Sequence, residues 1–354
     1  MSTNNNINSN NSNLKVIIDT DPGIDDALAI LLALGNANIE VIGLTTIFGN
    51  SPIVRIMSNN AQKVLNLVNK TNIPIYEGAA TPLVINNNID DYIKESMKAQ
   101  SVFIHGKDGL ADMIPPLEGN YIPQKHNISA AEFIKEQIQL YPNEITLIML
   151  GPLTNLALAI MLYPDIIYNI KSVIVMGGAY SSPRGNELNT PDANIGNITP
   201  VAEANIYKDP YAAHKVIHVG FTPEKLIFIP IDLTMQTNYS NSIIYEYFES
   251  HQHSSRLMSF LYLSHDTYED IYINQFGRSK VPFHDSCAVY YVINPNAYIT
   301  CDITMEIELI GCYTKGMTII DNRINRKCSN VRICTSITQD LFYSSILNSI
   351  KNLD

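Results

Sequence analysis

Short, continuous apolar segments that alternate with helical segments are the feature that most restricts the fold of this chain. The apolar segments span residues 14–18, 39–46, 73–76, 145–150, 172–176 and 227–231. Because they lack the every-second-residue alternation of a half-exposed strand, they are typical of strands buried on both faces, as in parallel sheets covered by helices. We therefore expect an α/β fold, in which a single large domain has a mostly parallel central sheet flanked by helices.

Most of the segments between these strands have apolar residues at the spacing that is typical of helices. Helices are predicted over residues 25–34, 59–68, 130–140 and 154–162, and residues 240–272 are expected to be largely helical. Residues 298–312 are rich in β-forming residues and indicate an edge hairpin. Residues 1–13, of which seven are Asn and three are Ser, have nothing to bury and are expected to be a disordered tail. Residues 14–354 would then form the one domain.

Composition excludes several kinds of partner. The chain has 23 Lys and Arg against 34 Asp and Glu, a net charge of -11, so neither nucleic acid nor an anionic membrane is an expected partner. The N-terminus lacks the basic and apolar regions of a secretory signal. The longest apolar run, residues 27–34, is shorter than the roughly 20 residues that span a bilayer. We expect a cytoplasmic protein.

The cysteines agree with that location. They are odd in number, form no CxxC motif and all lie in the last quarter of the chain, so we expect reduced, buried thiols. Their positions are Cys287, Cys301, Cys312, Cys328 and Cys334.

An unusually acidic segment follows the first predicted strand. Residues 19–26 read DTDPGIDD and place four carboxylates at a strand-to-helix junction, and ligands of open parallel sheets bind beyond the carboxyl ends of the strands. Helix capping would explain one or two of these Asp residues, but four crowded like charges favour a bound cation. Since no Cys or His lies nearby, hard oxygen ligands favour Ca²⁺ or Mg²⁺ over Zn²⁺.

Weaker signals follow the later strands. Asn50 lies in the turn after the predicted strand 39–46, and the sequence GPLTN, residues 151–155, follows the predicted strand 145–150. Both segments are compatible with ordinary turns. The polar segment 194–205 could supply either helix caps or side chains that bind two adjacent hydroxyl groups of a ligand. The residues that could do either are Asn197, Glu203 and Asn205. His284 and Asp285 precede an apolar helix, where capping is the simpler explanation.

Taken together, these segments resemble the inosine-uridine preferring nucleoside hydrolase family, in the family's order, from residue 14 to about 335. The matching motifs are DTDPGIDDA from residue 19, TTIFGN from 45, HGKDGL from 105, GPLTN from 151, GNITPVAE from 196, HD from 284 and GMT from 316. The resemblance implies hydrolysis of the N-glycosidic bond of ribonucleosides to free base and ribose, in nucleoside salvage. It also implies a preference for uridine and other pyrimidines or for inosine and uridine, a Ca²⁺ cofactor, and a homodimer or homotetramer.

The resemblance also gives each matching position a role. The groups that would bind calcium are the carboxylates of Asp21, Asp26 and Asp285 and the backbone carbonyl of Leu150. Asp21 would in addition be the general base for the attacking water. The residues that would bind the ribose hydroxyls are Asp25, Asn50, Asn197, Glu203 and Asn205. His284 would face the base and assist its departure. Further candidates for the base pocket are His105, Tyr268 and Tyr272, although tyrosines four residues apart belong more often to a core.

Two other functions stay open on the sequence alone. Aspartate-based phosphatases also begin with a strand followed by Asp-x-Asp, which Asp19 and Asp21 fit, but Pro22-Gly23 and the lack of a clear later Lys do not. The second is a non-catalytic calcium- or nucleoside-binding protein on the same scaffold. An EF-hand is excluded because the Asp spacing lacks its loop and closing Glu, and none of the eight His residues forms the HExxH motif of zinc peptidases.

Overall fold

The fold is taken from a computed structural model of the chain. It describes residues 13–85, 106, 109–110, 127–180, 196–239, 242–275, 277, 281–325 and 328–354. The strands in these ranges are β1 (Leu14–Thr20), β2 (Ile39–Thr46), β3 (Ile75–Glu77), β4 (Thr146–Met149), β5 (Ser172–Met176), β6 (Leu226–Ile229), β7 (Tyr298–Ile303), β8 (Met305–Ile307), β9 (Thr318–Ile320) and β10 (Val331–Ile337).

The helices lie mostly between the strands. Those in the described ranges are α1 (Ile24–Gly35), α2 (Val54–Leu67), α3 (Ala130–Leu140), α4 (Thr154–Leu162), α5 (Ile166–Asn169), α6 (Ala204–Lys208), α7 (Pro210–Ile217), α8 (Ile231–Thr234), α9 (Ile243–His251), α10 (Arg256–Glu269), α11 (His284–Ile293) and α12 (Gln339–Leu353). A π-helical segment, Asp270–Gln275, continues α10, and a short 3-10 helix, Pro295–Ala297, follows α11.

One eight-stranded sheet organises the described part of the chain, in the order β3-β2-β1-β4-β5-β6-β10-β7. Neighbouring strands are parallel except β7, which pairs antiparallel with β10 at the edge. The strand order reverses between β1 and β4, where Asp19 lies beside Met149. This reversal is the topological switch point, at which open α/β sheets form a crevice at the carboxyl ends of the strands. The predicted single α/β domain with a mostly parallel sheet is confirmed.

Both faces of the sheet are covered by apolar side chains, which explains why its strands read as continuous hydrophobic runs. In β1, Val16 and Ile18 join one apolar cluster and Ile17 joins the other. The first cluster includes α1, which is buried over almost its whole length, from Ile24 to Gly35. A helix that is apolar all round must be enclosed by other elements, and α1 packs on both α11 and α12. The acidic start of α1 is thereby fixed against the sheet.

The element predictions hold best for the sheet and least well near the C-terminus. The strand predicted over residues 39–46 is β2, and the helices predicted over residues 130–140 and 154–162 are α3 and α4. The helix predicted from residue 59 begins earlier, at Val54. The hairpin predicted within residues 298–312 is wrong, because β7 pairs with β10 and β8 pairs with β9, so both partners lie later in the chain.

The thiol prediction is wrong for three of the five cysteines. Cys287 and Cys334 are buried in the core, whereas the other three are exposed on or near the edge strands. The exposed ones are Cys301, Cys312 and Cys328. Cys301 lies in the edge strand β7, and Cys312 and Cys328 lie in the connections before and after β9. In the described ranges, no helix is both long and apolar enough to cross a membrane.

Candidate active site

The crevice at the switch point is lined by the ends of β1 and β4. Asp19 and Thr20 end β1, and Asp21 follows directly; Leu150 follows β4 and donates its backbone N–H to the Asp19 carbonyl oxygen at 2.8 Å. Asp25 and Asp26 lie in the first turn of α1, and Asp285 lies in the first turn of α11. The four side chains of Asp21, Asp25, Asp26 and Asp285 are called the acidic pocket below.

Three members of the acidic pocket come close enough to share one cation. Ligand oxygens of Asp25, Asp26 and Asp285 all lie within 4.8 Å of one another. Burial, together with the charges of Asp26, Asp25 and Asp21, raises the pKa of the Asp285 carboxyl well above its usual range. Burial likewise raises the pKa values of Asp25 and Asp26 to about 6. Desolvation and like-charge repulsion both disfavour the ionised forms here, so an added positive charge would stabilise the cluster.

Asp26 is held rigidly at the centre of this cluster. One of its oxygens accepts a hydrogen bond from the Thr20 hydroxyl at 2.5 Å, and the other accepts one from the Gly23 backbone N–H at 3.0 Å. The Asn50 amide reaches the second oxygen at 3.3 Å and also donates to the Asp21 carbonyl oxygen at 2.9 Å. Asn50 therefore ties the end of β2 to the end of β1.

Asp21 faces a different set of partners. Its Oδ2 accepts hydrogen bonds from the Asn50 backbone N–H at 2.7 Å and from the Lys208 ammonium at 3.1 Å. Burial raises the pKa of Asp21 to about 7 despite the opposing charge of Lys208. The carboxylate lies so close to Gly49 and Gly151 that a Cβ at either position would clash with it; at Gly151 the gap to Oδ1 would be 2.6 Å. Both glycines are needed for Asp21 to occupy this position.

The acidic pocket fits a hard divalent cation. Its donors are carboxylate oxygens, and the Asp25 Oδ1 atom is buried without a hydrogen-bond partner among the described residues. Carboxylates and carbonyls at the end of a strand are the ligands that Ca²⁺ and Mg²⁺ take. The Leu150 carbonyl already accepts one hydrogen bond, from the Asn205 amide at 2.7 Å, which leaves its second lone pair for another partner.

The segment around α6 supports the crevice from the β5 side. Glu203 is the N-cap of α6: its carboxylate accepts from the backbone N–H groups of Asn205 and Ile206 and, at 3.1 Å, from that of Gly178. Asn205 also donates to the Met176 carbonyl at 3.1 Å. The Asn197 side chain accepts from the Ala204 N–H at 2.9 Å. These hydrogen bonds match the capping interpretation, and the ribose-binding interpretation stays a prediction.

A hydrogen-bonded group of aromatic residues lies beside the acidic pocket. The Tyr268 hydroxyl donates to the Tyr272 hydroxyl at 3.3 Å, and Tyr272 is 3.3 Å from Nε2 of His284. His284 Nδ1 is 2.7 Å from the hydroxyl of Thr234, which itself donates to the Ile231 carbonyl. His284 is next to Asp285 on α11, so this aromatic wall, made of Thr234, Tyr268, Tyr272 and His284, adjoins the acidic pocket. The two tyrosines, four residues apart, are both buried and in contact with each other.

Two residues at the crevice were missed by the sequence analysis. Lys208 reads as a polar helix end, yet its side chain is 7% exposed and forms an ion pair with Asp21. Asn155 reads as a turn residue, yet its amide donates to the buried Asp19 carboxylate at 2.7 Å, which Thr45 also contacts at 2.6 Å. Only their tertiary positions reveal these roles; the sole sequence signal for Asn155 is that it ends the GPLTN motif.

Of the predicted site residues, all but His105 can be located. Those that the structure brings together around the crevice are Asp21, Asp25, Asp26, Asn50, Leu150, Glu203, Asn205, His284 and Asp285. Asn197 contacts the start of α6 through Ala204. His105 lies outside the described residues. The carboxylate grouping differs from the predicted one in two respects. Asp25, expected on the ribose, groups with Asp26 and Asp285, and Asp21, expected in that group, forms an ion pair with Lys208.

Comparison with known proteins finds similar proteins both by sequence and by fold. Residues 16–344 match the family model described as inosine-uridine preferring nucleoside hydrolase. The chain is 33% identical to the inosine-uridine preferring nucleoside hydrolase of Crithidia fasciculata, over 96% of this chain and 98% of that one. It is 34% identical to a probable uridine nucleosidase of Arabidopsis thaliana, over 88% and 87% of the two chains. The structure of a purine-preferring ribonucleoside hydrolase from Gardnerella vaginalis superposes with a TM-score of 0.81, at 27% identity over 96% of this chain and 98% of that one.

Proposed function

The chain belongs to the inosine-uridine preferring nucleoside hydrolase family, and from this premise we propose that the acidic pocket and the aromatic wall are the two halves of its active site. The protein hydrolyses the N-glycosidic bond of ribonucleosides. The observation that carries the assignment of the site is the group of three carboxylates within 4.8 Å at the switch point of the sheet. Because family membership covers residues 16–344, the aspartate-based phosphatase is dropped as an alternative.

The cation that we propose for the acidic pocket is Ca²⁺. Asp21, Asp26, Asp285 and the Leu150 carbonyl would hold it, and the grouping of Asp25 with Asp26 and Asp285 adds a fourth carboxylate within reach. When bound, a calcium ion would offset the crowded negative charge, fix hydroxyl groups of the sugar and make a nearby water easier to deprotonate. The exclusively oxygen-based donor set supports calcium or magnesium over zinc.

The sugar would be recognised by amides and carboxylates around the crevice. Asn50 lies 3.3 Å from Asp26, and Asn205 holds the Leu150 carbonyl, so both are positioned by the residues that we assign to the cation. An N-glycosidic bond breaks through a ribose with oxocarbenium character. The buried carboxylates of Asp25 and Glu203 supply negative potential for that developing positive charge.

Asp21 is the proposed general base. A water that attacks the anomeric carbon must lose a proton, and burial raises the pKa of Asp21 to about 7, which suits a carboxylate that accepts a proton near neutral pH. Lys208 and the Asn50 N–H fix the Oδ2 atom, so the Oδ1 side of the carboxylate is the one left to face the crevice. Gly151 keeps that side clear of a side chain.

His284 would assist the departing base. Thr234 holds its Nδ1, and the Tyr268–Tyr272 pair leads to its Nε2. These hydrogen bonds hold the ring in one orientation, and an imidazolium form of His284 would pass its Nε2 proton to the leaving base and return to the neutral imidazole. Protonation of a nucleobase as it leaves makes departure easier, and general acid catalysis contributes about 10²–10⁴-fold. Uridine and inosine are the substrates that we propose, since relatives bear both names.

The experiment that tests this function measures products. Wild-type protein in calcium is incubated with uridine, inosine, cytidine and adenosine, and free base and free ribose are measured separately. Equal amounts of both products, formed only with protein, establish hydrolysis. Binding of nucleosides without release of ribose would instead establish the non-catalytic binder.

A further inference from the structure

A second group of metal-ligating side chains lies away from the acidic pocket. His214 is in α7 and His218 follows its end, so the two are four residues apart on one helix face. Glu306 is in the middle of β8, in the small β8–β9 sheet that packs on α7. One ligand atom from each of the three residues lies within 4.8 Å of the others.

We propose that His214, His218 and Glu306 form a Zn²⁺ site that is separate from the nucleoside site. Two imidazoles and one carboxylate are a ligand set that zinc takes, with a water in the fourth position. Imidazole donors favour zinc and similar transition metals, whereas the oxygen donors of the acidic pocket favour calcium or magnesium. The two sites therefore select different ions by the chemistry of their donors.

The three side chains lie close enough for one ion to reach all of them. His218 Nε2 is 2.8 Å from Glu306 Oε2, and the rings of His214 and His218 have centroids 4.4 Å apart. Two ligand atoms on a tetrahedral zinc with bonds of about 2.0–2.1 Å lie roughly 3.3 Å apart. The His218 and Glu306 atoms would therefore separate by roughly 0.5 Å on binding zinc, and the His214 ligand atom, within 4.8 Å of both, would complete the set by a side-chain adjustment. His218 is exposed and its two partners are half-buried, so the ion can enter from solvent.

Zinc at this position would join two elements that are distant in sequence. His218 and Glu306 are separated by 88 residues, so the bridge would close a long loop. The β8–β9 sheet is connected to the support of the crevice, because Thr318 donates to the Ala179 carbonyl at 2.6 Å and Met317 pairs with Ala202. Binding of an ion to the folded state alone raises stability by mass action. The expected consequence is thermal stabilisation of the protein.

The experiment measures zinc binding with the other possible sites closed. The protein is kept in saturating Ca²⁺, and the three exposed cysteines are alkylated because thiols also bind zinc. Zn²⁺ is titrated in competition with a chromogenic chelator. The variants are His214→Ala, His218→Ala and Glu306→Gln, and the matched control is His253→Ala, which removes an exposed His elsewhere.

Wild type and the control should bind one zinc per chain and gain thermal stability from it. His214→Ala and His218→Ala should each weaken binding by at least the roughly 10–100-fold that loss of an outer-shell partner costs. Because His214 is half-buried, far-UV circular dichroism checks its variant, and His218→Ala tests the site even if His214→Ala fails to fold. Equal zinc affinity in wild type, His218→Ala and Glu306→Gln would overturn the proposal. Calcium-dependent release of ribose should persist in His218→Ala, so this test is independent of the proposed function.

Discussion

The acidic pocket takes three of its four carboxylates from one segment, residues 19–26, whereas the aromatic wall collects its side chains from α8, α10, the π-helical segment and α11. The pocket concentrates like charges that burial destabilises, which is why we propose a cation there. The wall is a chain of hydrogen-bonding groups that hold one another in place. The contrast suggests a division of labour, in which the pocket acts on the sugar and the water and the wall acts on the base.

The largest expected effect tests whether recognition of the sugar belongs to the pocket. We predict that 2′-deoxyuridine is hydrolysed about 10⁴-fold less efficiently than uridine, because a site built for hydroxyl groups leaves buried polar atoms unpaired when one hydroxyl is missing. The measurement is kcat/KM for both nucleosides under the same conditions. A kcat/KM ratio near one would show that the 2′-hydroxyl of the ribose does not contribute to recognition.

The next effect concerns the base catalyst. Asp21→Asn keeps the shape of the side chain but cannot accept a proton, so we predict that kcat falls by about 10²–10⁴-fold. The control is Asp266→Asn, which neutralises an exposed carboxylate on α10. Circular dichroism of both variants establishes that they fold. Near-normal turnover in Asp21→Asn would remove this residue from the mechanism.

A smaller effect distinguishes the wall from the pocket. His284→Ala should lower kcat for uridine by about 10²-fold while changing KM far less, as expected for a group that acts in the transition state. The loss should be much smaller with p-nitrophenyl riboside, whose leaving group needs no proton. Tyr272→Phe should show the same pattern in weaker form. Equal losses on both substrates would mean that His284 positions the substrate and donates no proton.

The smallest effect concerns His265, a buried histidine on α10. His265, three residues before Tyr268, stacks on Tyr239 at 4.8 Å, and burial lowers its pKa to about 3. An unfolded His has a pKa near 6.5, so the unfolded state takes up the proton first as the pH falls. Its contribution to stability is complete above about pH 6.5 and is lost progressively down to about pH 3.

His265→Phe should remove this dependence. Between pH 7.5 and 5.5, wild type should lose about 1.4 kcal/mol more of its free energy of unfolding than the variant does, measured by urea denaturation. His253→Ala, at an exposed position, should follow wild type. Parallel pH profiles for wild type and His265→Phe would contradict the assignment.

The same contrast explains what could be predicted from the sequence. The acidic pocket was recognisable because Asp21, Asp25 and Asp26 lie in one short segment and the strand before them is a plain apolar run. Lys208 was not, because a Lys at the end of a helix is usually solvated, and only the approach of α6 to β1 buries it. The position of β10 between β6 and β7 was also missed, since pairing between strands distant in sequence leaves no local pattern.

The central claim is that the buried carboxylates hold a calcium ion on which hydrolysis depends. The direct test uses chelator-treated protein, in which Ca²⁺ binding and release of ribose from uridine are measured on the same samples, for wild type and Asp285→Asn. We predict one Ca²⁺ per wild-type chain, hydrolysis that returns in proportion to bound Ca²⁺, and weak binding with little hydrolysis in Asp285→Asn. Full hydrolysis by metal-free wild-type protein, or unchanged calcium affinity in Asp285→Asn, would contradict the account.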